Sequence, residues 1–187
     1  MEPRDIDVVF LTHFHGDHTL GLPPFVLHRI FVDKPRVLTF VGPEGLEDRL
    51  EALFEVSWGM DWKPVMLPRF KARYVTARPH GQAAGYRYET VRLDHGTAGA
   101  NGYRLHVDGK VLAYSGDTEP TAPLDRLVDG ADIAIIEATG PGDVFSHMSW
   151  EAAAALKKRH PTTRFLFNHL YSGSVRGAAK DLQVVEV

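Results

Sequence analysis

The sequence predicts an α/β fold in which sheets rich in antiparallel pairs carry helices on their outer faces, and three observations predict it. Short apolar segments of strand length recur along the chain between turn signals. Helical patterning interrupts them at only three places. The 187 residues are 44% hydrophobic, enough for a packed core, and no Pro-, Gly- or Ser-rich linker divides them, so a single domain over 1–187 is expected.

In chain order, the strand-like segments are Asp7–Leu11, Val37–Val41, Arg73–Ala77, Tyr86–Leu93, Tyr103–Val107, Val111–Tyr114, Ile133–Glu137, Arg164–Phe167 and Val184–Val187. Asp108-Gly109 joins the fifth to the sixth and is a strong hairpin signal. Pro43–Val56 reads as a helix because Leu46, Leu50, Leu53 and Phe54 fall at helical spacing behind Gly42-Pro43-Glu44. A shorter helix is expected near Pro120–Val128. Ser149–Arg159 is the clearest, with Ser149 as its cap, Glu151 in the first turn, and Lys157, Lys158 and Arg159 in the last, each matching the helix dipole.

Composition removes several function classes. With no cysteine, disulfides, thiolate zinc sites and cysteine nucleophiles are excluded, and a reducing, cytoplasmic setting is expected. The start, Met1-Glu2-Pro3-Arg4-Asp5, has no signal-peptide pattern, and no apolar run approaches membrane-spanning length. A net charge of -3 gives no global attraction to nucleic acid. Arg69, Lys71 and Arg73 alternate on one side of a strand, which reads as a solvated face rather than a phosphate track.

The chemistry is concentrated in His13-Phe14-His15-Gly16-Asp17-His18, four metal-ligating side chains directly after the apolar run Val8-Val9-Phe10-Leu11. His13 and His15 alternate as on an extended segment and can point to one side. Asp17 and His18 follow from the turn at Gly16. Imidazoles with a carboxylate suit Zn²⁺ first, with Mn²⁺, Fe²⁺ or Ni²⁺ as alternatives, and disfavour Ca²⁺ or Mg²⁺. Adjacent Asp17 and His18 fit poorly around the same ion as His13 and His15, so two metals and further distant ligands are expected.

Three strand ends offer those ligands: His95 after Tyr86–Leu93, Asp117 after Val111–Tyr114, and His169 after Arg164–Phe167. Strand ends opening into loops are where a rigid scaffold presents reactive groups. His28, His106 and His160 sit in a helix-like segment, an alternating strand and a helix end and read as surface or packing residues, and His80 has no assignable partner.

Taken together, the cluster, Leu93-Asp94-His95-Gly96, Tyr114-Ser115-Gly116-Asp117-Thr118 and Phe167-Asn168-His169-Leu170 resemble the metallo-β-lactamase superfamily over most of the chain. The resemblance implies an αββα sandwich. It also implies that His13, His15 and His95 hold one metal, that Asp17, His18 and His169 hold the other, and that Asp117 bridges the two. The absence of cysteine separates the chain from the β-lactamases themselves, which use one at that bridging position. Ser115-Gly116-Asp117-Thr118, Ile136-Glu137-Ala138-Thr139, His147-Met148-Ser149 and Gly102-Tyr103-Arg104 are similar to motifs of the ribonuclease Z-like and phosphodiesterase branches. In that branch the counterpart of His147 lies beside the metals and donates a proton or holds the substrate oxyanion.

The implied function is a two-metal hydrolase of a phosphodiester or related ester, with Asp17 and His147 as catalytic groups and zinc as the first choice of metal. A ribonuclease Z-like transfer-RNA endonuclease, an aryl sulfatase, a thioesterase and a non-catalytic metal-binding remnant are the alternatives. A flavodiiron redox module is disfavoured, because such proteins usually carry Glu where this chain has His15. The transfer-RNA reading is set lower because the interval from His95 to Asp117 is filled by the expected hairpin, leaving no place there for the protruding arm of such enzymes. The expected partner is therefore a small ester or phosphodiester, with nucleic acid less favoured. The fold is expected to be N-terminally shortened, since the strands that usually precede the metal motif are missing; a partner chain, as in a homodimer, is one way to cover the sheet edge this exposes.

Overall fold

A computed structural model describes residues 3–32, 36–59, 62–66, 68–171, 173 and 175–180. They fall into two compact units, one comprising Met1–Ala77 with Ala83–Gly85 and the other Arg78–Gln82 with Tyr86–Val187. No described helix is long and apolar enough to cross a membrane.

The first unit is built on a three-stranded sheet in the order β1 (Val8–Phe10), β2 (Val37–Gly42), β3 (Lys71–Thr76). Both pairings are parallel, against the antiparallel emphasis expected from sequence. Helical connections explain this, because parallel neighbours need a crossover too long for a hairpin turn. Helices α1 (Gly16–Thr19) and α2 (Leu22–Val32) separate β1 from β2, and α3 (Leu46–Trp58) and α4 (Trp62–Met66) separate β2 from β3. The helix-like segment around His28 is α2 in full, with Pro23 and Pro24 in its first turn, where a missing N–H costs nothing. Leu22, Val26 and Ile30 repeat every four residues and pack with Leu38, Phe40, Leu46, Leu50 and Phe54 into one core. Arg69, Lys71 and Arg73 are all exposed, in keeping with a solvated strand face.

Apart from Ala83, the second unit holds a six-stranded sheet in the order β4 (His80–Ala83), β5 (Tyr86–Leu93), β6 (Ala100–Val107), β7 (Lys110–Tyr114), β8 (Ile133–Glu137), β9 (Arg164–Asn168). Here β5, β6 and β7 pair antiparallel, as the turn signals require. Asp108 and Gly109 turn the chain with φ of 49° and 77°, the left-handed pair of a type I′ hairpin. After β7 the connections become helical, through α5 (Ala122–Val128) and α6 (Trp150–Arg159), and pairing becomes parallel.

Gly102 lets α5 approach the sheet. A Cβ there would lie 2.7 Å from a Leu127 methyl and 2.9 Å from a Leu93 methyl. Leu93, Leu124, Leu127, Ile136, Leu156 and Phe167 belong to the resulting core. Ser149 caps α6 as expected, its side chain accepting the Ala152 N–H at 3.1 Å. The predicted strand Val184–Val187 lies outside the described residues. His106 and His160 are bound to Glu89 at 2.8 Å and Asp125 at 3.0 Å, the surface roles assigned to them from sequence.

Candidate metal centre

In the first unit the cluster leaves the end of β1, where the Leu11 N–H still donates to the Val41 carbonyl at 2.7 Å. This last ladder bond fixes the direction in which His13 sets out. His13 is buried, His15 and Asp17 are exposed and His18 is intermediate. His15 is extended, and the chain then winds into α1, which carries Asp17 and His18. The rings of His13 and His15 lie 4.6 Å apart and those of His13 and His18 4.3 Å. Asp17 Oδ2 is 3.2 Å from His18 Nε2. All four predicted ligands of this unit therefore converge. Thr12 Oγ1 lies 3.0 Å from His13 Nδ1, and with that Nδ1–H donating to the hydroxyl, Nε2 keeps the lone pair a metal needs.

In the second unit three strand ends meet around Asp117, which is 2% exposed and follows β7. His95 Nε2 is 3.7 Å and His169 Nε2 3.5 Å from Asp117 Oδ2. Two donors about 2.1 Å from one tetrahedral ion are separated by about 3.4 Å, so these spacings match ligand edges rather than hydrogen bonds. Hydrogen bonding at the far side of each ring sets the same tautomer. His95 Nδ1 is 2.7 Å from the Ser146 carbonyl oxygen, which can only accept. His169 Nδ1 is 3.0 Å from Thr139 Oγ1, whose own proton goes to Glu137. Both rings thus carry their proton on Nδ1 and turn an Nε2 lone pair toward Asp117. His169 takes a left-handed φ of 53°, a conformation uncommon outside glycine and held here beside the site.

Two side chains form a second layer behind this set. Glu137, at the end of β8, is fully buried and accepts the Thr118 backbone N–H and the Thr139 hydroxyl. His147 Nδ1 approaches the same carboxylate, 3.1 Å from Oε2 and 3.3 Å from Oε1. Its ring stacks on that of His169 with centroids 5.2 Å apart and meets that of His95 edge-on at 4.8 Å. Burial pushes the Glu137 carboxyl up to about 7; its hydrogen bonds to Thr139 and Thr118 pull the other way, and the charge of Asp117 adds to the rise. Glu137, His147 and His169 are close enough to form a metal group of their own. Their hydrogen-bond pattern instead describes a carboxylate that orients His147.

Sequence reasoning singled out His13, His15, Asp17, His18, His95, Asp117, His169 and His147, and each lies with the others of its own unit. It missed the roles of Glu137, Thr139 and Ser146. Glu137 was open to discovery, because it closes an apolar strand as His95, Asp117 and His169 do.

A sequence profile described as the Beta-lactamase superfamily domain matches residues 1–170. With that match, the chain belongs to the metallo-β-lactamase superfamily of metal-dependent hydrolases. Within it the chain falls in the ribonuclease Z-like branch. It is 30% identical over 220 aligned positions to ribonuclease Z of Bacillus licheniformis, covering 91% of this chain and 72% of that protein. It is 27% identical to ribonuclease BN of Escherichia coli, with the same coverage. The human short-form tRNase Z superposes with a TM-score of 0.72 at 22% identity, covering all of this chain and 81% of that one. A metallo-β-lactamase fold protein from Bacillus subtilis superposes with a TM-score of 0.70 at 16% identity, covering 94% and 69%. The aligned 220 positions exceed the 187 residues of this chain, so the bacillar relative carries stretches that it lacks.

Proposed function

We propose that this chain is a two-metal hydrolase of a phosphodiester, using the ligands that its family resemblance assigns. When bound, one divalent ion would be held by His13, His15 and His95 and the other by Asp17, His18 and His169, with Asp117 a ligand to each. The reading rests on one observation above all: His95 and His169 present Nε2 lone pairs at ligand-edge distance from the same Asp117 oxygen. Zinc fits a set of imidazoles and carboxylates best. When bound, the ions supply Lewis acidity and make hydroxide available near neutral pH.

The remaining chemistry belongs to the chain. Asp17 orients the attacking water and takes its proton. His147, its Nδ1–H held by Glu137, delivers a proton from Nε2 to the departing oxygen, a transfer worth about 10²- to 10⁴-fold in rate. Glu137 is a positioning residue: it fixes the His147 tautomer and balances the imidazolium.

The names of the ribonuclease relatives favour a second reading, endonucleolytic trimming of transfer-RNA 3′ ends. Against it, the interval from His95 to Asp117 holds only β6, β7 and their short connections, with no inserted arm among these described residues. Hydrolysis of bis(p-nitrophenyl) phosphate by zinc- and manganese-loaded protein, run beside metal analysis and a 3′-extended transfer-RNA precursor, tests the proposal. Metal-dependent release of nitrophenolate supports it. Cleavage of the precursor alone favours the second reading, and metal binding without turnover of any ester overturns both.

A further inference from the structure

Phe145 and Tyr171 are each 90% exposed, the most exposed large hydrophobic side chains among the described residues. Such exposure rules out a packing role for either ring. Scattered surface hydrophobics are common, but these two share an unusual placement. Phe145 lies two residues before His147, and Tyr171 two residues after His169, the two histidines whose rings stack 5.2 Å apart.

Both backbones are tied to the ligand machinery. The His147 N–H donates to the Val144 carbonyl at 3.1 Å, closing a turn that presents Phe145 at its tip. Ser146 completes that turn with a φ of 58°, and its carbonyl accepts from His95 Nδ1. Gly96 takes a left-handed φ of 51°, and a Cβ there would stand 2.8 Å from Ser146 Oγ, so any other residue would be strained and would push that hydroxyl aside. On the other side, the Tyr171 N–H donates to the Thr139 carbonyl at 2.9 Å, on the residue whose hydroxyl holds His169. Two bare aromatic faces are therefore carried on backbone fixed beside the reacting groups.

Fixed, exposed aromatics are the means by which proteins hold flat π-systems, since stacking needs a rigid face and no hydrogen-bond code. We propose that Phe145 and Tyr171 are specificity-determining residues that stack on a flat ring attached to the phosphate of the substrate. The ring is a nucleobase or a simple aryl group. This inference rests on the phosphodiesterase reading and names the substrate feature that the site selects.

Calorimetric Kd values for zinc-loaded protein with adenosine 5′-monophosphate, phenyl phosphate and ribose 5-phosphate test it without requiring turnover. The two ring-bearing ligands, or one of them, are expected to bind about 5- to 100-fold more tightly than ribose 5-phosphate, the range that one stacked ring supplies. Phe145→Ala with Tyr171→Ala abolishes that ratio and leaves the ribose 5-phosphate Kd and the zinc content unchanged, whereas Phe145→Trp and Tyr171→Phe retain it. A preference for the adenosine ligand identifies a nucleobase, and a preference for phenyl phosphate identifies an aryl ester. Equal Kd values for all three ligands, no binding of any, or equal weakening of all three in the alanine variants overturns the proposal. A preserved ratio without hydrolysis of bis(p-nitrophenyl) phosphate refutes the phosphodiesterase reading alone, and hydrolysis without the ratio refutes the stacking alone.

Discussion

Changing Glu137 to Gln tests whether His147 works as a proton donor, because the substitution keeps shape and removes only the acceptor pattern. Glu137 receives three donors, the Thr118 N–H, the Thr139 hydroxyl and His147 Nδ1–H. An amide oxygen can still serve Thr118, but its NH₂ then faces His147 and Thr139. The ring responds by moving its proton to Nε2, where it is neutral and loses the carboxylate that stabilises its charged form. Loss of a positioned acid costs about 10²- to 10⁴-fold in kcat, or about 3 to 5 kcal/mol. The imperfectly paired buried amide costs about 1 to 3 kcal/mol of stability. No candidate ligand is removed, and Thr139 Oγ1 has lone pairs for both the new amide and His169 Nδ1–H, so zinc stoichiometry stays at the parent value. The assay is kcat and KM for bis(p-nitrophenyl) phosphate from about pH 5 to 9, with metal content measured on the same samples. The loss should fall on kcat rather than KM, and the limb of the pH profile due to His147 should disappear. Retention of kcat within threefold at full zinc loading would refute the role given to Glu137 and His147.

Other consequences are simpler to state. Asp117→Ala removes the oxygen faced by both His95 and His169, so metal content and activity should fall together; full occupancy and turnover in that variant would show the bridging role to be wrong. In metal-free protein, the raised Glu137 carboxyl binds its proton more tightly folded than unfolded. Its stabilisation is therefore complete below the ordinary value of 4.5 and is lost as pH rises through about 7, by up to about 3 kcal/mol, a slope in urea midpoints that Glu137→Gln should erase. Asp125 accepts both Arg159 nitrogens at 2.8 Å and His160 at 3.0 Å, linking α5 to the end of α6. Arg159, and then His160, hold its carboxyl below the ordinary carboxylate value. The pair is largely exposed, so Asp125→Asn should cost less than about 1 kcal/mol at neutral pH, with the difference vanishing as acid protonates the parent carboxylate. Leu127→Ala empties a fully buried place against Gly102 and should cost about 2 to 5 kcal/mol in the same denaturation assay.

The candidate ligands stood out in sequence because donor side chains are dense or end strands there. His13 to His18 carry four donors in six residues, and His95, Asp117 and His169 each end an apolar strand. Tyr86–Leu93 and Ile133–Glu137 match the observed strands at both ends, since turn or polar residues bound them sharply. Helix α2 was legible only as a helix-like segment around His28, because its start at Leu22-Pro23-Pro24 carries no side-chain cap to mark it. Parallel pairing in the first sheet was equally hidden, for strand patterning records burial and not the direction of a neighbour. Glu137 was read only as part of a motif, because its importance lies in contacts with Thr118, Thr139 and His147, which are distant or unremarkable in sequence. Phe145 and Tyr171 could equally have been packing residues until their exposure was known.

Two metal ions held by His13, His15, Asp17, His18, His95, Asp117 and His169 are what the proposed hydrolysis requires. Anomalous diffraction from zinc-loaded crystals measures this directly. Two peaks are expected about 3.5 to 4 Å apart, the usual separation in two-metal sites, one among His13, His15 and His95 and the other among Asp17, His18 and His169, with Asp117 touching both. A single peak held by Glu137, His147 and His169, or two peaks without Asp117 between them, would contradict it.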